Sequence, residues 1–182
     1  MSDGPLVPRA IETRFTGRVF TVTIETIALP HGGELRAEIV RHPGSVVIVP
    51  VTAGGDIVLV RQYRHAIGRP AWELPAGSLK PGEDVVRAAA RECQEEIGLI
   101  PARLDPLGTF YPTPGYCDEA MHFFRAPELR VPGPADEAVQ QDADEDIETG
   151  TFEPDALWGM IAAGEIVDLK TVAGLALTNR RL

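Results

Sequence analysis

The chain has 182 residues, 44% of them hydrophobic and 24% charged, which suits one packed domain with a small addition and argues against global disorder. A formal net charge of −10 argues against a nucleic-acid groove, which needs clustered Lys and Arg. No apolar run approaches the roughly 18–20 residues of a membrane span, no signal-peptide pattern opens the chain, and Cys93 and Cys117 are the only cysteines, so a reduced, cytoplasmic protein is expected.

In chain order, residues 1–9 carry Gly and two Pro without periodicity and are expected to fray. Residues 19–28 are rich in Val, Ile and Thr, residues 34–40 alternate, and His31-Gly32-Gly33 reads as the turn between them. This hairpin would form a small β element, residues 1–42, ahead of a main domain at 43–182. Residues 45–51 and 56–61 are near-continuously apolar and read as a pair of central strands joined by Ala53-Gly54-Gly55. Gly77 and Pro81-Gly82 are turn residues before a helix that Glu83 and Asp84 open and Gly98 ends. Val85, Val86, Ala89, Ala90, Cys93 and Ile97 form its apolar stripe. Residues 104–110 and 120–124 read as strands. Residues 126–146 read as a long loop with three prolines and an acidic end, a length uncommon without a function. A strand at 147–152 and helices at 155–164 and 169–182 complete an α/β chain.

Glu92, Glu95 and Glu96 lie beside that apolar stripe, and spacings of three and four place their carboxylates within reach of one another. Like charges so placed destabilise a helix unless something neutralises them. Oxygen-only ligands suit a hard cation, Mg²⁺ or Mn²⁺. Such a cation can neutralise phosphoryl oxygens and acidify a water, and phosphoryl transfer then needs positioning more than a covalent nucleophile. No G-x-S-x-G or Ser-His-Asp pattern is evident, the histidines lack metal-like spacing, and Cys93 falls inside the helix stripe as a core residue.

Gly77, five residues, Glu83, seven residues, then Arg91-Glu92-Cys93-Gln94-Glu95-Glu96-Ile97-Gly98-Leu99 resembles the Nudix hydrolase signature position for position, with Cys93 in an aliphatic slot. The resemblance implies the Nudix fold, a mixed β-sheet sandwiched between α-helices. Arg61-Gln62-Tyr63-Arg64, Trp72-Glu73-Leu74-Pro75-Ala76-Gly77 and Pro114, about fifteen residues beyond the box, look like the ADP-ribose pyrophosphatase branch. Arg36-Ala37-Glu38-Ile39-Val40 resembles the strand with which those swapped homodimers hold the partner's adenine.

Carried over residue by residue, the resemblance makes Glu92 and Glu96 the main metal ligands, with Glu95 close by and the Ala76 carbonyl a backbone ligand. Arg91 would hold the box carboxylates and Glu83 would be structural or a distant metal contact. Arg36, Glu38, Arg61, Glu73, Pro114 and Glu119 would line the substrate site. The general base is expected on the acidic run Asp142-Ala143-Asp144-Glu145-Asp146: Glu145 first, Asp144 or Asp142 as alternatives, because Ala143 stands where related loops often carry Glu. The expected activity is Mg²⁺-dependent hydrolysis of ADP-ribose to AMP and ribose 5-phosphate by a homodimer. The rivals are another nucleoside diphosphate sugar, such as GDP-mannose or ADP-glucose, and a nucleotide-sensing module that does not hydrolyse its ligand.

Overall fold

Residues 6–136 and 146–179 are described by the structure, a computed structural model, and the chain divides into two compact units. The first runs to Gly44 and takes in Tyr111–Ala120; the second holds Ser45–Phe110 and resumes at Met121.

In the first unit, β1 (Pro8–Thr16), β2 (Thr21–Ala28) and β3 (Glu34–Arg41) form an antiparallel sheet in the order β1-β2-β3. The expected hairpin is therefore a three-stranded meander, and residues from Pro8 onward are strand where fraying was expected. The alternation of apolar Ile11 and Phe15 with charged neighbours suits an extended strand, yet β1 is exposed along almost its whole length. Its order comes from pairing with β2, a long-range contact that composition does not reveal. Glu25 on β2 is only 2% exposed. A charge so buried needs a partner, and Arg41 donates to it from β3. Arg41 also donates to Asp118 at 2.9 Å, Asp118 accepts the His42 N–H at 2.8 Å, and Val40 N–H donates to the Tyr116 carbonyl at 2.7 Å. These bonds attach residues 111–120 to β3.

The second unit contains β4 (Ser45–Pro50), β5 (Ile57–Arg64), β6 (Arg69–Glu73), β7 (Ala76–Ser78), α1 (Val85–Ile97), β8 (Ile100–Phe110), β9 (Met121–Arg130), β10 (Glu148–Phe152), α2 (Pro154–Ala162) and α3 (Leu169–Asn179). One mixed sheet runs β7-β4-β9-β8, with β4 parallel to β9, and a second, antiparallel sheet runs β10-β5-β6. β4 and β5 were expected as a pair. They instead fall in different sheets that share one core, with an isolated bridge from Val51, just past β4, to Ile57. Every residue of β4 is buried, because successive side chains enter opposite faces and both faces are covered. Val46 and Ile48 pack with Ala88, Ala89 and Cys93 of α1. Val47 and Val49 pack with Leu74, Leu157 of α2, Ile166 and Leu175 of α3. A mixed sheet between helices is the expected Nudix layering. β9 reaches Arg130, further than expected, so the connection after it is shorter at that end.

Candidate active site

The site is built on α1. Asp84 caps its N-terminus, accepting from the amides of Val86 at 3.0 Å and Arg87 at 3.1 Å, which satisfies two donors that helix geometry leaves unpaired. Gly98 closes the other end at φ 69°, a left-handed conformation that glycine adopts without a Cβ penalty. The face against β4 is made by Ala88, Ala89 and Cys93, all fully buried, with Val85 and Ile97 packed at its margin. Val86, expected on this stripe, is 47% exposed. Small residues at the contact bring the helix close to the sheet, so the carboxylates beside the apolar stripe are drawn in: Glu92 is 9% and Glu96 6% exposed. Cys93 behaves as core, its thiol pushed up to about 12 by burial and then by the nearby Glu96 charge.

Arg91 answers the charge problem. Its Nε and Nη2 donate to the two oxygens of Glu83 at 2.8 and 2.9 Å, and its Nη1 donates to Glu92 at 2.7 Å and Glu95 at 2.6 Å. One planar fork thus joins three acidic residues, as only arginine geometry allows. The hydrogen bonds from Arg91 lower the Glu83 pKa from 4.5 to about 2, against a smaller opposing effect of burial. That depression has a sign. Glu83 stabilises the folded state fully above its unfolded value of 4.5, and the contribution is lost as pH falls toward 2. We expect Tm to drop through this window, and the drop to be shallower in Glu83→Gln; identical acid limbs for the two proteins would overturn the pairing.

Opposite α1 lies the short strand β7, held on β4 with Ala76 beside Val47. Ala76 N–H donates to Glu96 Oε2 at 3.1 Å, and the Pro75 carbonyl accepts the Ile48 N–H at 2.9 Å. Gly77, expected as a turn residue, is part of β7. Its requirement is clearance: a Cβ there would overlap the Glu92 carboxylate. Among the described residues no group of three His, Cys, Asp or Glu side chains is already gathered as metal ligands are. The donor set nevertheless suits a hard divalent cation. It consists of oxygen donors only, two carboxylates are buried, and the backbone before them is stripped of its side chain where one would fill the cradle. Glu92, Glu95, Glu96 and the Ala76 carbonyl are the groups that would hold it.

The remaining candidates are distributed over both units. Arg61 donates to Glu148 at 3.1 Å and lies 6.0 Å from the Trp72 ring centre. Glu73 is 3% exposed, and its carboxylate receives Arg64 through two bonds of 2.8 and 2.6 Å and also Lys170 of α3. Burial acts to raise its pKa, but these cations more than offset that and hold it below the usual carboxylate range. In the first unit Arg36 and Glu38 are exposed on β3, with Arg36 3.6 Å from Glu12. Pro114 lies in a turn closed by Tyr116 and Cys117 amides on the Thr113 carbonyl, and Glu119 stands 4.0 Å from His42. Glu145, Asp144 and Asp142 lie outside the described residues.

Arg64, Asp168, Lys170 and Thr171 were not singled out from sequence. Arg64 is half-exposed, feels the Glu96 charge, and with Ile67, Arg69, Glu73, Val167 and Lys170 lines a cavity of about 560 Å³. Asp168 ahead of Thr171 resembles a helix cap, but nothing local shows that Lys170 meets a carboxylate 97 residues away.

Comparison with known proteins agrees with this site. The NUDIX domain model matches residues 41–173. The chain is 36% identical over 162 residues to an ADP-ribose pyrophosphatase of Bacillus subtilis (strain 168), covering 89% of this chain and 86% of that one. It is 35% identical over 161 residues to a methanol dehydrogenase activator of Bacillus methanolicus, covering 88% and 85%. Its fold matches the crystal structure of an ADP compounds hydrolase with a TM-score of 0.81 at 22% identity, over 98% of this chain and 94% of that one. A matched span that includes both the Arg91-centred carboxylate helix and the β7 segment facing it means that the chain belongs to the Nudix family and is a Nudix hydrolase.

Proposed function

We propose that this Nudix hydrolase cleaves ADP-ribose to AMP and ribose 5-phosphate. The observation that carries the chemistry is Glu96 bonded to the Ala76 N–H and Glu92 set against Gly77, with Arg91 joining Glu92 to Glu95 beside them. The substrate is supported by the likeness to the Bacillus subtilis ADP-ribose pyrophosphatase along most of both chains. Nudix enzymes generally use a divalent metal, here Mg²⁺ with Mn²⁺ as a substitute, which when bound supplies positive charge to a diphosphate and acidifies a water.

In this reading Glu92 and Glu96 bind the cation, Glu95 completes or adjusts the set, and the Ala76 carbonyl adds a neutral ligand. Arg91 limits mutual repulsion among the carboxylates. Arg64, fixed through Nε and Nη2 on Glu73, offers its third nitrogen to a phosphate, and Arg61 lines the substrate site beside it. Glu73 orients that arginine, while Arg36, Glu38, Pro114 and Glu119 serve the nucleoside and terminal ribose. Glu145, or Asp144, takes the proton from the attacking water.

A homodimer belongs to the same proposal. The first unit leaves Val7, Ile11, Phe15 and Leu35 between 45% and 76% exposed, apolar side chains that contact with a second copy would cover. Sedimentation of a monomer at micromolar concentration would overturn it.

Product analysis with Mg²⁺ against ADP-ribose, GDP-mannose, ADP-glucose and diadenosine polyphosphates tests the substrate. Selective formation of AMP from ADP-ribose is expected. Preference for another sugar nucleotide would keep the carboxylate site and overturn the pocket. The likeness to a dehydrogenase activator favours one second reading, in which a bound nucleotide serves regulation of a partner enzyme. Tight nucleotide binding without turnover would support it.

A further inference from the structure

We infer that the start of α3, through Asp168, Lys170 and Thr171, is a positioning clamp for the backbone that faces the carboxylate helix. The inference rests on the metal-site reading above and adds residues outside the signature helix to it.

β6 ends at Glu73 and β7 begins at Ala76; between them the Pro75 carbonyl is bonded to the Ile48 N–H of β4, while the Leu74 N–H has no strand partner. Pro75 has no N–H to donate. The Leu74 N–H is therefore the last backbone donor before Ala76, and it is buried, since Leu74 is 0% exposed. A buried amide needs an acceptor. It finds Thr171 Oγ1 at 2.8 Å. Thr171 is itself 0% exposed, and its hydroxyl donates to Asp168 Oδ2 at 2.6 Å. The same Asp168 oxygen accepts the Thr171 amide at 3.0 Å and the Lys170 ammonium at 2.9 Å. Lys170 in turn donates to Glu73, the neighbour of Leu74. The bonds close a ring: Glu73, Leu74, Thr171, Asp168, Lys170 and back to Glu73.

Each member of this ring has its partner within it, and the consequence lies two residues on. The Leu74–Pro75 gap leads directly into Ala76, whose N–H meets Glu96 and whose carbonyl is a proposed ligand, and then Gly77, which touches Glu92. α3 holds the segment from one side, while α1 meets it from the other. The same ring fixes Glu73, and Glu73 fixes the Arg64 guanidinium through two bonds. A shell behind the ligands that sets their orientation is commonly worth about 10–100-fold in metal affinity or activity. Thr171 is a positioning residue, because it is fully buried and reaches the segment through the Leu74 amide, with Asp168 and Lys170 supporting it and Glu73.

Thr171→Val tests this, since valine keeps the shape but neither accepts from Leu74 nor donates to Asp168. Three readouts are taken on wild type, Thr171→Val and Thr171→Ser: Mn²⁺ binding by loss of the free-ion EPR signal, steady-state kinetics, and hydrogen exchange of the Leu74 and Ala76 amides in metal-free protein. Thr171→Val should lose about tenfold in Mn²⁺ affinity and in kcat with little change in KM. Its Leu74 and Ala76 amides should exchange faster while the β4 amides stay protected. Thr171→Ser should restore all three. Unchanged Mn²⁺ binding and kcat in a folded Thr171→Val protein would overturn the clamp, as would uniformly faster exchange that serine does not rescue. If Thr171→Val does not fold, Asp168→Asn takes its place, and wild-type Mn²⁺ affinity in that variant also overturns the clamp. A wild-type protein that binds no Mn²⁺ would instead overturn the metal-site reading on which the inference rests.

Discussion

Glu96→Gln should lower turnover by about a hundredfold or more if Glu96 is the ligand proposed above, since even partners behind a ligand are worth about 10–100-fold. The substitution is close to isosteric. Glu96 Oε2 accepts the Ala76 N–H at 3.1 Å, and a glutamine oxygen can accept the same bond. The contact between α1 and β7 therefore survives, and what is removed is negative charge at a site only 6% exposed. Tm and circular dichroism should match wild type, while kcat and Mn²⁺ affinity fall together. Near-normal turnover would remove Glu96 from the metal site.

The second large effect is expected at Gly77. The smallest possible addition, Gly77→Ala, puts a methyl group into the space of the Glu92 carboxylate. One of the two must move, and both are constrained: Gly77 by its pairing with Val46, Glu92 by the 2.7 Å bond from Arg91. Overpacking of this kind costs about 1–3 kcal/mol. The variant should lose stability and most of its activity. A double mutant separates the two losses. Glu92→Ala in the Gly77→Ala background should recover stability, because the clash is gone, without recovering activity, because the carboxylate is gone as well. If Gly77→Ala is as active as wild type, the carboxylate does not need the space that the glycine leaves it.

Why some of this was legible before any coordinates, and some not, follows from the range of the interactions. The α1 boundaries were readable because caps are local: Asp84 sits beside the amides it accepts from, and Gly98 carries its own left-handed turn. The carboxylate cluster was readable because residues three and four apart on a helix are neighbours. Arg91 bonds Glu95 one turn away for the same reason. The two apolar strands β4 and β5 were visible from their unbroken hydrophobic runs, but their partners were not. A run buried on both faces gives no register signal, and β4 pairs with β7 and β9 while β5 pairs with β6 and β10. β1 was missed for the opposite reason. Its side chains are exposed, so burial left no mark on its composition, and pairing with β2 alone orders it.

The amino-acid sequence by itself determined the Nudix family, through spacing within one short stretch, and the α/β class, through the alternation of strand and helix patterns along the chain. The tertiary structure decided which charges answer one another. It buried Glu73 under Arg64 and Lys170, turned Arg61 toward Glu148, and made Gly77 a matter of clearance where a turn was expected. It also brought Thr171 to the Leu74 amide from 97 residues along the chain. A buried charge or amide must find a partner wherever the fold supplies one, and that partner is specified by packing, which no local pattern encodes.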